Sequence, residues 1–548
     1  MSKYSLGLDF GTLSVRAVLV DIESGEVMAS SVSEYAHGIM SAFFLDGSSL
    51  PADYALQHPR DYLDSMLLVI REAVEKSGVN PALIVGVGVD FTASTILPVF
   101  EDGTPLCFAE KFKNVPHAYV KLWKHHAAQK EAEEINELAK KTDAPFLKRY
   151  GGTISCEWLF PKVLQILKEE PMVYTSAARF IEAGDWIVWM LTGKETHSVC
   201  QAGFKALWDP ESGYPDKEFF KSLHPEFENV TNTKISKNIV KLSETAGYIT
   251  KEIEEKTGLK AGTAVAPALI DAHAALPALG VTHTGEMLMI IGTSSCHILL
   301  GDKEAYAPGT SGFAKDGIVD GLYAFEAGQA SVGDSFEWFV KNCVSAAYTD
   351  AACAQGVNIH QFLTKKASEL NPGSNGILAL DWFNGNRTPY VNGNLSGLIL
   401  GLNLNTTPEQ IYRALIEATA YGTKRIIDIY EQNGIKIEKI YVAGGIAEKN
   451  ALLMQIYADV LDRELFLSGT SQTCAYGSAV LGSVSGGAYF SLSEAAEKLK
   501  KISSRSYKPK SENTKKYESL YKEYVTLCEY FANIENKTME RLRKETKK

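Results

Sequence analysis

A short pattern near the start of the chain recurs near its middle, and this recurrence constrains the fold more than any other feature. SLGLDFGTLSVRAVLV begins at Ser5, and MLMIIGTSSCHILL spans Met287–Leu300. Each predicts a strand, a tight Gly-Thr turn and a second strand, with a serine two residues after the threonine. If the echo is real, the chain holds two domains of one plan, joined near Gly280. A chance echo is the alternative.

Strand and helix patterns alternate through much of the chain, which predicts an α/β fold. Tyr4–Gly11 and Val15–Val20 are two apolar runs that predict a β-hairpin. Asp61–Lys76 carries apolar residues at helical spacing and leads into a predicted strand over Leu83–Val89. The sequence therefore predicts sheets covered by helices.

The composition excludes several classes of protein. Hydrophobic residues make up 45% and charged residues 22% of the 548, which is the range of globular enzymes. A net charge of −11 disfavours nucleic acid as a partner. No apolar run approaches the roughly 18 residues that cross a bilayer, and Asp9 interrupts the apolar N-terminal stretch, so neither a membrane partner nor a signal peptide is expected. The eight cysteines lack metal or redox spacing, and a cytoplasmic protein is predicted.

The first motif that carries chemistry is the predicted turn after Asp9. The chain lacks the GxxxxGK[ST], GxGxxG, HExxH and GxSxG patterns, so a nucleotide would not be held by a Walker loop. A tight Gly-Thr turn exposes N–H groups and a hydroxyl that can cradle phosphate oxygens. Asp9 is suited to hold Mg²⁺ through water. The alternative is that these residues merely close a hairpin.

Two further motifs carry similar alternatives. Gly444 and Gly445 stand between a predicted strand and a predicted helix, where glycines let a ligand approach the backbone, or where they form an ordinary turn. Asp271 lies between an apolar segment and an Ala-rich helix start. It is either the N-cap of that helix or a partly desolvated general base.

Together, these motifs resemble in order and spacing the sugar kinases of the FGGY family, which have the actin-like, ribonuclease-H-like fold. The resemblance spans nearly the whole chain. It is carried by GLDFGTLSVRA, HPRDY, GVGVDFTAST, WKHHAA, GGTISCEW, AGFKALW, IGTSSCH and FEAGQASVGD, which point to a branch acting on a pentulose. It implies an α/β chain with two actin-like ATPase domains and an interdomain cleft. Residues 1–280 would form the sugar side with the catalytic base, and 281–548 the nucleotide side.

The resemblance also implies roles for single residues. Asp271 would be the base that takes the proton from the attacking hydroxyl, and Asp9 would position Mg²⁺. The sugar would be held at Ala93, Lys205, Asp271 and Glu326, with Trp123 and His126 in a sugar-side wall. The nucleotide would be held at Gly11, Thr12, Gly292, Thr293, Gly333, Gly444, Gly445, Lys449 and Asn450. Without the family context, a surface lysine is the favoured interpretation of Lys205. A strand-end carboxylate is the alternative for Glu326, and Trp123 could equally be a core residue. The chain departs from many relatives at His125, where they carry an aspartate.

The function implied is ATP-dependent phosphorylation of L-ribulose at its C5 hydroxyl, in L-arabinose breakdown. The expected ligands are a small sugar, ATP and Mg²⁺, and a homodimer is one expected assembly. Two alternatives stay open: a family kinase for xylulose, ribitol or glycerol, and an actin-like sugar-binding module without turnover. Asp271 favours an enzyme, because binding alone requires no base.

Overall fold

The structure, a computed structural model, describes residues 3–373, 376–532 and 536–546. The strands are β1 Tyr4–Phe10, β2 Ser14–Asp21, β3 Val27–Glu34, β4 Leu56–Gln57, β5 Ile84–Phe91, β6 Ile96–Val99, β7 Val120–Lys121, β8 Arg179–Glu182, β9 His197–Ser198, β10 Ile239–Val240, β11 Gly247–Tyr248, β12 Ala264–Val265, β13 Leu269–Ile270, β14 Glu286–Ile291, β15 Ser295–Gly301, β16 Gly312–Lys315, β17 Tyr323–Gln329, β18 Leu378–Leu380, β19 Leu398–Leu400, β20 Lys439–Ala443, β21 Leu465–Ser468 and β22 Ile502–Tyr507. The helices are α1 Pro59–Ser77, α2 Gln129–Lys141, α3 Pro145–Arg149, α4 Leu159–Glu169, α5 Pro171–Ser176, α6 Ala183–Thr192, α7 Val199–Lys205, α8 Lys217–Leu223, α9 Val230–Thr233, α10 Lys251–Thr257, α11 Asp271–Ala278, α12 Gly333–Cys343, α13 Ala346–Ala354, α14 Ile359–Ser368, α15 Pro408–Gln432, α16 Gly445–Lys449, α17 Ala451–Leu461, α18 Thr473–Ser485, α19 Leu492–Leu499, α20 Ser511–Ala532 and α21 Thr538–Thr546.

The chain divides into two compact units. Unit 1 comprises residues 1–284, 313–324 and 472–501, and unit 2 comprises residues 285–312, 325–471 and 502–548. The division predicted at Gly280 lies close to the end of the first segment of unit 1. Two later segments, 313–324 and 472–501, also pack with unit 1 although they fall beyond that division in sequence.

The main sheet of unit 1 has the strand order β11-β12-β5-β1-β2-β3. β1 and β2 form the predicted antiparallel hairpin, and β5 runs parallel to β1. β12 pairs with the beginning of β5 and β13 with its end, both in parallel. The carboxyl ends of β1, β5 and β13 therefore lie at the same edge of the sheet.

Helix α18 packs unusually closely on this sheet, and glycines make the contact possible. A Cβ atom at Gly7 of β1 would lie 1.8 Å from the carbonyl oxygen of Ala475, and one at Gly88 of β5 would lie 1.8 Å from that of Ser478. Because real Cβ atoms do not approach so closely, any side chain at either position would push the helix away. Unit 1 thus depends on a helix from late in the chain.

Unit 2 repeats the central plan of unit 1. Part of its sheet has the order β17-β15-β14-β20-β21-β22. β14 and β15 form the second predicted antiparallel hairpin, and β20 runs parallel to β14 as β5 does to β1. The predicted α/β class and both hairpins are confirmed.

Two further features of the structure are the apolar character of its helices and the state of its cysteines. Among the residues that the structure describes, no helix combines the length and apolar character that a bilayer crossing requires. The eight cysteines are free thiols.

Candidate active site

Three carboxylates come together where β1, β5 and β13 end in unit 1. Asp9 and Asp90 are register partners on the parallel strands β1 and β5. Leu269 of β13 pairs with Asp90, and Asp271 follows β13 directly. Asp9 and Asp90 are buried, whereas Asp271 is partly exposed. Sequence reasoning placed Asp9 and Asp271 in the site but missed Asp90.

Burial shapes the electrostatics of this cluster. It raises the pKa of Asp9, and the guanidinium of Arg16, whose Nη1 lies 3.4 Å from Asp9 Oδ2, opposes that rise. Burial and the neighbouring Asp9 charge raise the pKa of Asp90 well above its usual range, against a 2.6 Å hydrogen bond donated by Ser478 Oγ. Crowded carboxylate oxygens of this kind suit a hard divalent cation, which would offset their mutual repulsion.

Asp271 begins helix α11, and the N-cap position belongs to Ile270. The Oδ1 atom of Asp271 accepts the backbone N–H of Ala272 at 2.7 Å. The alternative that Asp271 is the N-cap is therefore wrong. Its position at the sheet edge, partly open to solvent, is compatible with a group that exchanges a proton with a ligand.

The Gly-Thr turn of unit 1 is held by its neighbours. Gly11 donates its N–H to Ser14 O at 3.0 Å, and Gln57 Nε2 donates to Thr12 O at 2.7 Å. Trp123 Nε1 donates to Thr12 Oγ1 at 3.2 Å. Trp123 is thus a partly buried residue that contacts the predicted phosphate turn rather than a core residue.

Lys205, predicted on the sugar side, is the last residue of α7 and is only 5% exposed. Its Nζ lies 5.7 Å from the centre of the Trp158 ring. The alternative of a surface lysine is wrong, because the residue is almost completely withdrawn from solvent. Ala93, also predicted on the sugar side, is partly buried, and its carbonyl accepts a hydrogen bond from Thr95 Oγ1 at 3.3 Å.

The two adjacent histidines point to different surroundings. His126 Nε2 lies 3.0 Å from Glu157 Oε1, and its side chain is 48% exposed. His125 is fully buried, accepts the N–H of Ala55 at Nδ1 and lies 3.0 Å from Gln165 Oε1 through Nε2. The residue that departs from the family pattern is therefore part of the interior, where burial lowers its pKa.

In unit 2 the second Gly-Thr turn also connects two antiparallel strands, but it is one residue tighter than the first. Gly292 donates its N–H to Ser294 O at 2.9 Å, and the carbonyl of Thr293 accepts the N–H of Val332 at 2.8 Å. Gly333, which begins α12, donates its N–H to Gly292 O at 3.0 Å. A Cβ atom at Gly333 would lie 2.8 Å from that carbonyl oxygen, so the position requires glycine.

Gly444 brings the strand-to-helix turn against the same hairpin. Its φ of 106° is one that L residues rarely adopt, and a Cβ atom there would lie 2.4 Å from Ile291 O. Gly445 then begins α16, which ends at Lys449, and Asn450 caps α17 by accepting the N–H of Leu453 at 3.0 Å. The predicted strand-to-helix turn is confirmed, and the approach of a ligand to its backbone stays a prediction.

A cavity of about 700 Å³ opens beside this turn within unit 2. Its lining residues are Gly333, Phe336, Glu337, Asn358, His360, Gln361, Thr364, Lys365, Ser368, Tyr412, Gly445, Ile446, Lys449, Asn450, Ala451 and Leu452. Four predicted nucleotide residues are among them, whereas Gly292, Thr293 and Gly444 support the turn next to it. The sequence did not predict the part of the cavity wall that α14 contributes. The sequence pattern there is the capping box of Asn358 and Gln361, which indicates the start of a helix but does not indicate a ligand.

Glu326 lies in the middle of β17, not at its end as expected. It is partly buried, and its backbone carbonyl accepts the N–H of Ser311 at 2.8 Å. Tyr430 lies close enough that the Glu326 charge adds to the effect of burial in raising the pKa of the tyrosine. Glu326 thus carries a charge into a largely buried part of unit 2.

A separate cluster of His37, His58 and Asp61 is explained by helix capping. Asp61 Oδ1 lies 2.7 Å from His37 Nδ1, and the ligand atoms of the three residues lie within 4.8 Å of one another. His58 Nδ1, however, accepts the N–H of Arg60 and caps α1. A neutral imidazole that accepts at Nδ1 carries its proton on Nε2, so His58 has no free lone pair for a cation.

Comparisons with known proteins agree with this geometry. The model of the N-terminal domain of the FGGY family of carbohydrate kinases matches residues 4–278, and that of the C-terminal domain matches residues 287–486. The chain belongs to the FGGY family. Proteins named ribulokinase from Bacillus licheniformis and Anoxybacillus flavithermus are 49% and 48% identical to it, over 97% and 99% of this chain and 97% of each relative.

Solved structures of family kinases share the fold. A xylulose kinase from Rhodospirillum rubrum has a TM-score of 0.79 at 22% identity, covering 96% of this chain and 99% of that one. A gluconate kinase from Lactobacillus acidophilus has a TM-score of 0.80 at 18% identity, covering 97% and 99%. The expected family, carbohydrate kinase class and actin-like fold are confirmed.

Proposed function

We propose that this FGGY kinase transfers the γ-phosphoryl group of ATP to the C5 hydroxyl of L-ribulose, in L-arabinose breakdown. The observation that carries the proposal is the 49% identity, over 97% of both chains, to a protein named ribulokinase. The carboxylate cluster of unit 1 and the cavity of unit 2 support it, because they would supply a base and a nucleotide site.

Asp271 is the general base in this proposal. Phosphoryl transfer requires an aligned nucleophile and neutralised phosphate charge, with little covalent chemistry from the protein. A carboxylate at the sheet edge can accept the proton of the attacking hydroxyl as the new O–P bond forms. Asp271 is partly exposed and begins α11, so its side chain is accessible to a ligand.

Asp9 and its neighbour Asp90 fit a magnesium ion. Both offer only carboxylate oxygens, and burial raises the pKa of each, so a nearby cation would stabilise their charged forms. When bound, Mg²⁺ would screen the phosphate charges during transfer. Thr12 and Gly11 would offer their hydroxyl and N–H groups to the phosphates beside it.

The nucleotide site in this proposal is the cavity of unit 2. Its volume of about 700 Å³ lies within the roughly 300–1,000 Å³ of small-molecule pockets. Gly445 would let the adenosine approach the backbone, Gly333 would lie in a second turn beside the nucleotide, and Lys449 and Asn450 would lie at the rim. Thr293 and Gly292 would line the phosphate path, and Gly444 would allow the close turn.

The sugar is held, in this proposal, by side chains whose burial makes their hydrogen bonds selective. Lys205 would donate to sugar oxygens and Glu326 would accept from hydroxyls. Ala93 would offer backbone and shape, while Trp123 and His126 would form a wall. Buried polar groups reject a ligand that leaves them unpaired, which is a physical basis for choosing one pentulose.

A coupled ADP-release assay tests this proposal directly. Purified protein with ATP and Mg²⁺ should release ADP rapidly with L-ribulose and only slowly without sugar. Parallel reactions contain D-xylulose, ribitol and glycerol. Faster turnover with one of these would make that compound the substrate in place of L-ribulose and would leave the kinase assignment unchanged. The absence of any sugar-dependent turnover would support a binding module.

We also propose that the protein works in the cytoplasm. Its eight free thiols suit a reducing compartment, and ATP is supplied there. The homodimer expected from the sequence stays a prediction, which sedimentation of the purified protein would test.

A further inference from the structure

Two loops of unit 1 that carry predicted sugar-site residues are tied together by one buried ammonium group. Lys162 of α4 is fully buried. Its Nζ donates hydrogen bonds to Ser94 O at 2.6 Å and to Leu122 O at 2.8 Å. Ser94 follows Ala93, and Leu122 precedes Trp123. The lysine itself was given no role by the sequence.

The first loop needs such support, because its backbone is strained. Ser94 has a φ of 52°, in the left-handed region that non-glycine residues rarely occupy. Conformations of this kind persist only where the surrounding structure holds them. Besides the bond from Lys162, the side chains of Thr92 and Thr95 hydrogen bond at 2.8 Å, and Thr95 O accepts the N–H of Ala183. Ala93 is therefore presented from a fixed turn.

The second loop connects Lys162 with the Gly-Thr turn of unit 1 through hydrogen bonds. Leu122 donates its N–H to Ala55 O at 3.0 Å, and its carbonyl accepts from His125 as well as from Lys162. The next residue, Trp123, donates to Thr12 Oγ1. A shift at Leu122 would thus be passed to the indole and to the threonine that it contacts.

The charge of Lys162 is expensive to bury, which argues against an incidental contact. Burial lowers the pKa of Lys162 to about 8, and the nearby Glu182 carboxylate opposes that change. Methionine, which has similar length and no charge, would fill the same space without this desolvation cost. What methionine cannot supply is the pair of N–H donors that joins the two carbonyls.

We propose that Lys162 is a positioning residue of the sugar site, which fixes the backbone at Ser94 and Leu122 so that Ala93 and Trp123 meet the sugar in one geometry. This inference rests on the proposed function, since it takes those residues to contact the sugar. Lys162 does not touch the sugar itself; it acts through the two loops.

The test compares Lys162→Met with a matched control, Lys234→Met. Lys234 Nζ also donates to two backbone carbonyls of unit 1, those of Ala177 and Thr175, at 2.5 and 3.4 Å. Lys162→Met should raise the KM for the sugar by about tenfold or more, as expected for lost preorganisation. The KM for ATP should stay within about twofold. Lys234→Met should change neither constant.

Lys162→Gln provides a graded second variant, because its amide nitrogen keeps two N–H donors on a shorter, uncharged side chain. Its sugar KM should fall between those of the wild type and Lys162→Met. Equal effects of Lys162→Met and Lys234→Met, or a parallel rise in the KM for ATP, would overturn the proposal.

Hydrogen exchange of the wild-type protein gives a measurement that does not depend on any variant folding. Saturating sugar should slow exchange together in the peptides that contain residues 92–95 and 120–125. If sugar protects neither segment, the proposal is wrong. Both measurements use a sugar that the wild type phosphorylates. A wrong ribulose assignment would therefore appear in the substrate screen. A wrong inference about Lys162 would appear as an unchanged sugar KM in an enzyme that is active.

Discussion

At the scale of single residues, the site is built from charges that the fold forces together. Asp9 and Asp90 are neighbours because β1 and β5 pair in parallel register, and Asp271 joins them because β13 pairs with the end of β5. Such an arrangement opposes stability, since buried like charges repel one another. The proposed magnesium ion would offset that repulsion.

Asp271→Asn should abolish turnover while nucleotide still binds. The amide keeps the shape of the carboxylate but cannot accept a proton, so kcat should fall by a factor of about 10² or more. Steady-state kinetics and calorimetry with an ATP analogue measure the two effects separately. Retention of most of the wild-type kcat would remove Asp271 from the role of base.

Lys205→Ala and Glu326→Ala should weaken use of the sugar much more than use of ATP. Each loses a buried polar bond, which corresponds to about 1–3 kcal/mol in kcat/KM for the sugar. The exposed Lys237→Ala is the control and should behave as the wild type. A loss in kcat/KM for ATP alone, with the sugar constant unchanged, would place either residue elsewhere.

Residue-level prediction succeeded where a motif was local and failed where packing decided. The places of Asp9 and Asp271 next to strands were predicted from local patterns, whereas their roles came from the family resemblance and stay predictions. Asp90 was missed because a carboxylate inside an apolar strand signals nothing until the register with β1 is known. The burial of Lys205 and the role of Lys162 were equally invisible, since both depend on contacts between distant segments.

At the scale of elements, close helix packing fixes the sheet edge where the carboxylates lie. Helix α18 approaches β1 and β5 over Gly7, Gly86 and Gly88, and each would place a Cβ 1.8 Å from a carbonyl oxygen of the helix. Ser478 of the same helix donates to Asp90. The helix therefore supports both the core of unit 1 and the electrostatics of the cluster.

Gly88→Ala should destabilise the protein strongly, because β5 and α18 must separate to admit a methyl group. Overpacking of this kind costs about 1–3 kcal/mol and often more. Thermal unfolding and soluble yield measure the loss. Gly393→Ala is the control, since a Cβ there meets nothing within 4 Å. Equal unfolding temperatures for the two variants would show that α18 can shift without cost.

Element prediction was strongest for the hairpins and for the strand-to-helix turn. Alternating apolar runs around Gly-Thr gave β1–β2 and β14–β15, because that pattern depends only on neighbouring residues. Nothing local shows that residues 472–501 pack with unit 1. These residues pack on a surface that the glycines of β1 and β5 provide, and that surface exists only when the sheet has formed.

At the scale of the whole molecule, buried histidines should make stability depend on pH. Burial lowers the pKa of His197 to about 4 and that of His297 to about 3, from an ordinary value of 6.5. At these two residues the unfolded chain therefore binds more protons than the folded chain between pH 6.5 and those values. The stability that depends on these two histidines should be present above pH 6.5 and be lost progressively as the pH falls toward 4 and below. Buried Glu182, whose pKa burial raises to about 8, acts in the opposite direction.

His297→Gln should make this dependence less steep, because one buried histidine no longer has to remain neutral. Denaturant unfolding between pH 7 and pH 4 measures the slope. The exposed His283→Gln is the control and should keep the wild-type slope. A slope unaltered by His297→Gln would mean that other groups account for the acid sensitivity.

Phosphorylation of L-ribulose at C5 by this FGGY kinase is tested most directly by kcat/KM over a panel of sugars together with the position of the phosphate in the product. The panel contains L-ribulose, D-ribulose, D-xylulose, ribitol and glycerol, and carbon-phosphorus coupling in the NMR spectrum locates the ester. We expect L-ribulose to have the highest kcat/KM, with coupling at C5. A much higher value for xylulose or glycerol, or coupling at another carbon, would show that the protein is not a kinase acting on C5 of L-ribulose.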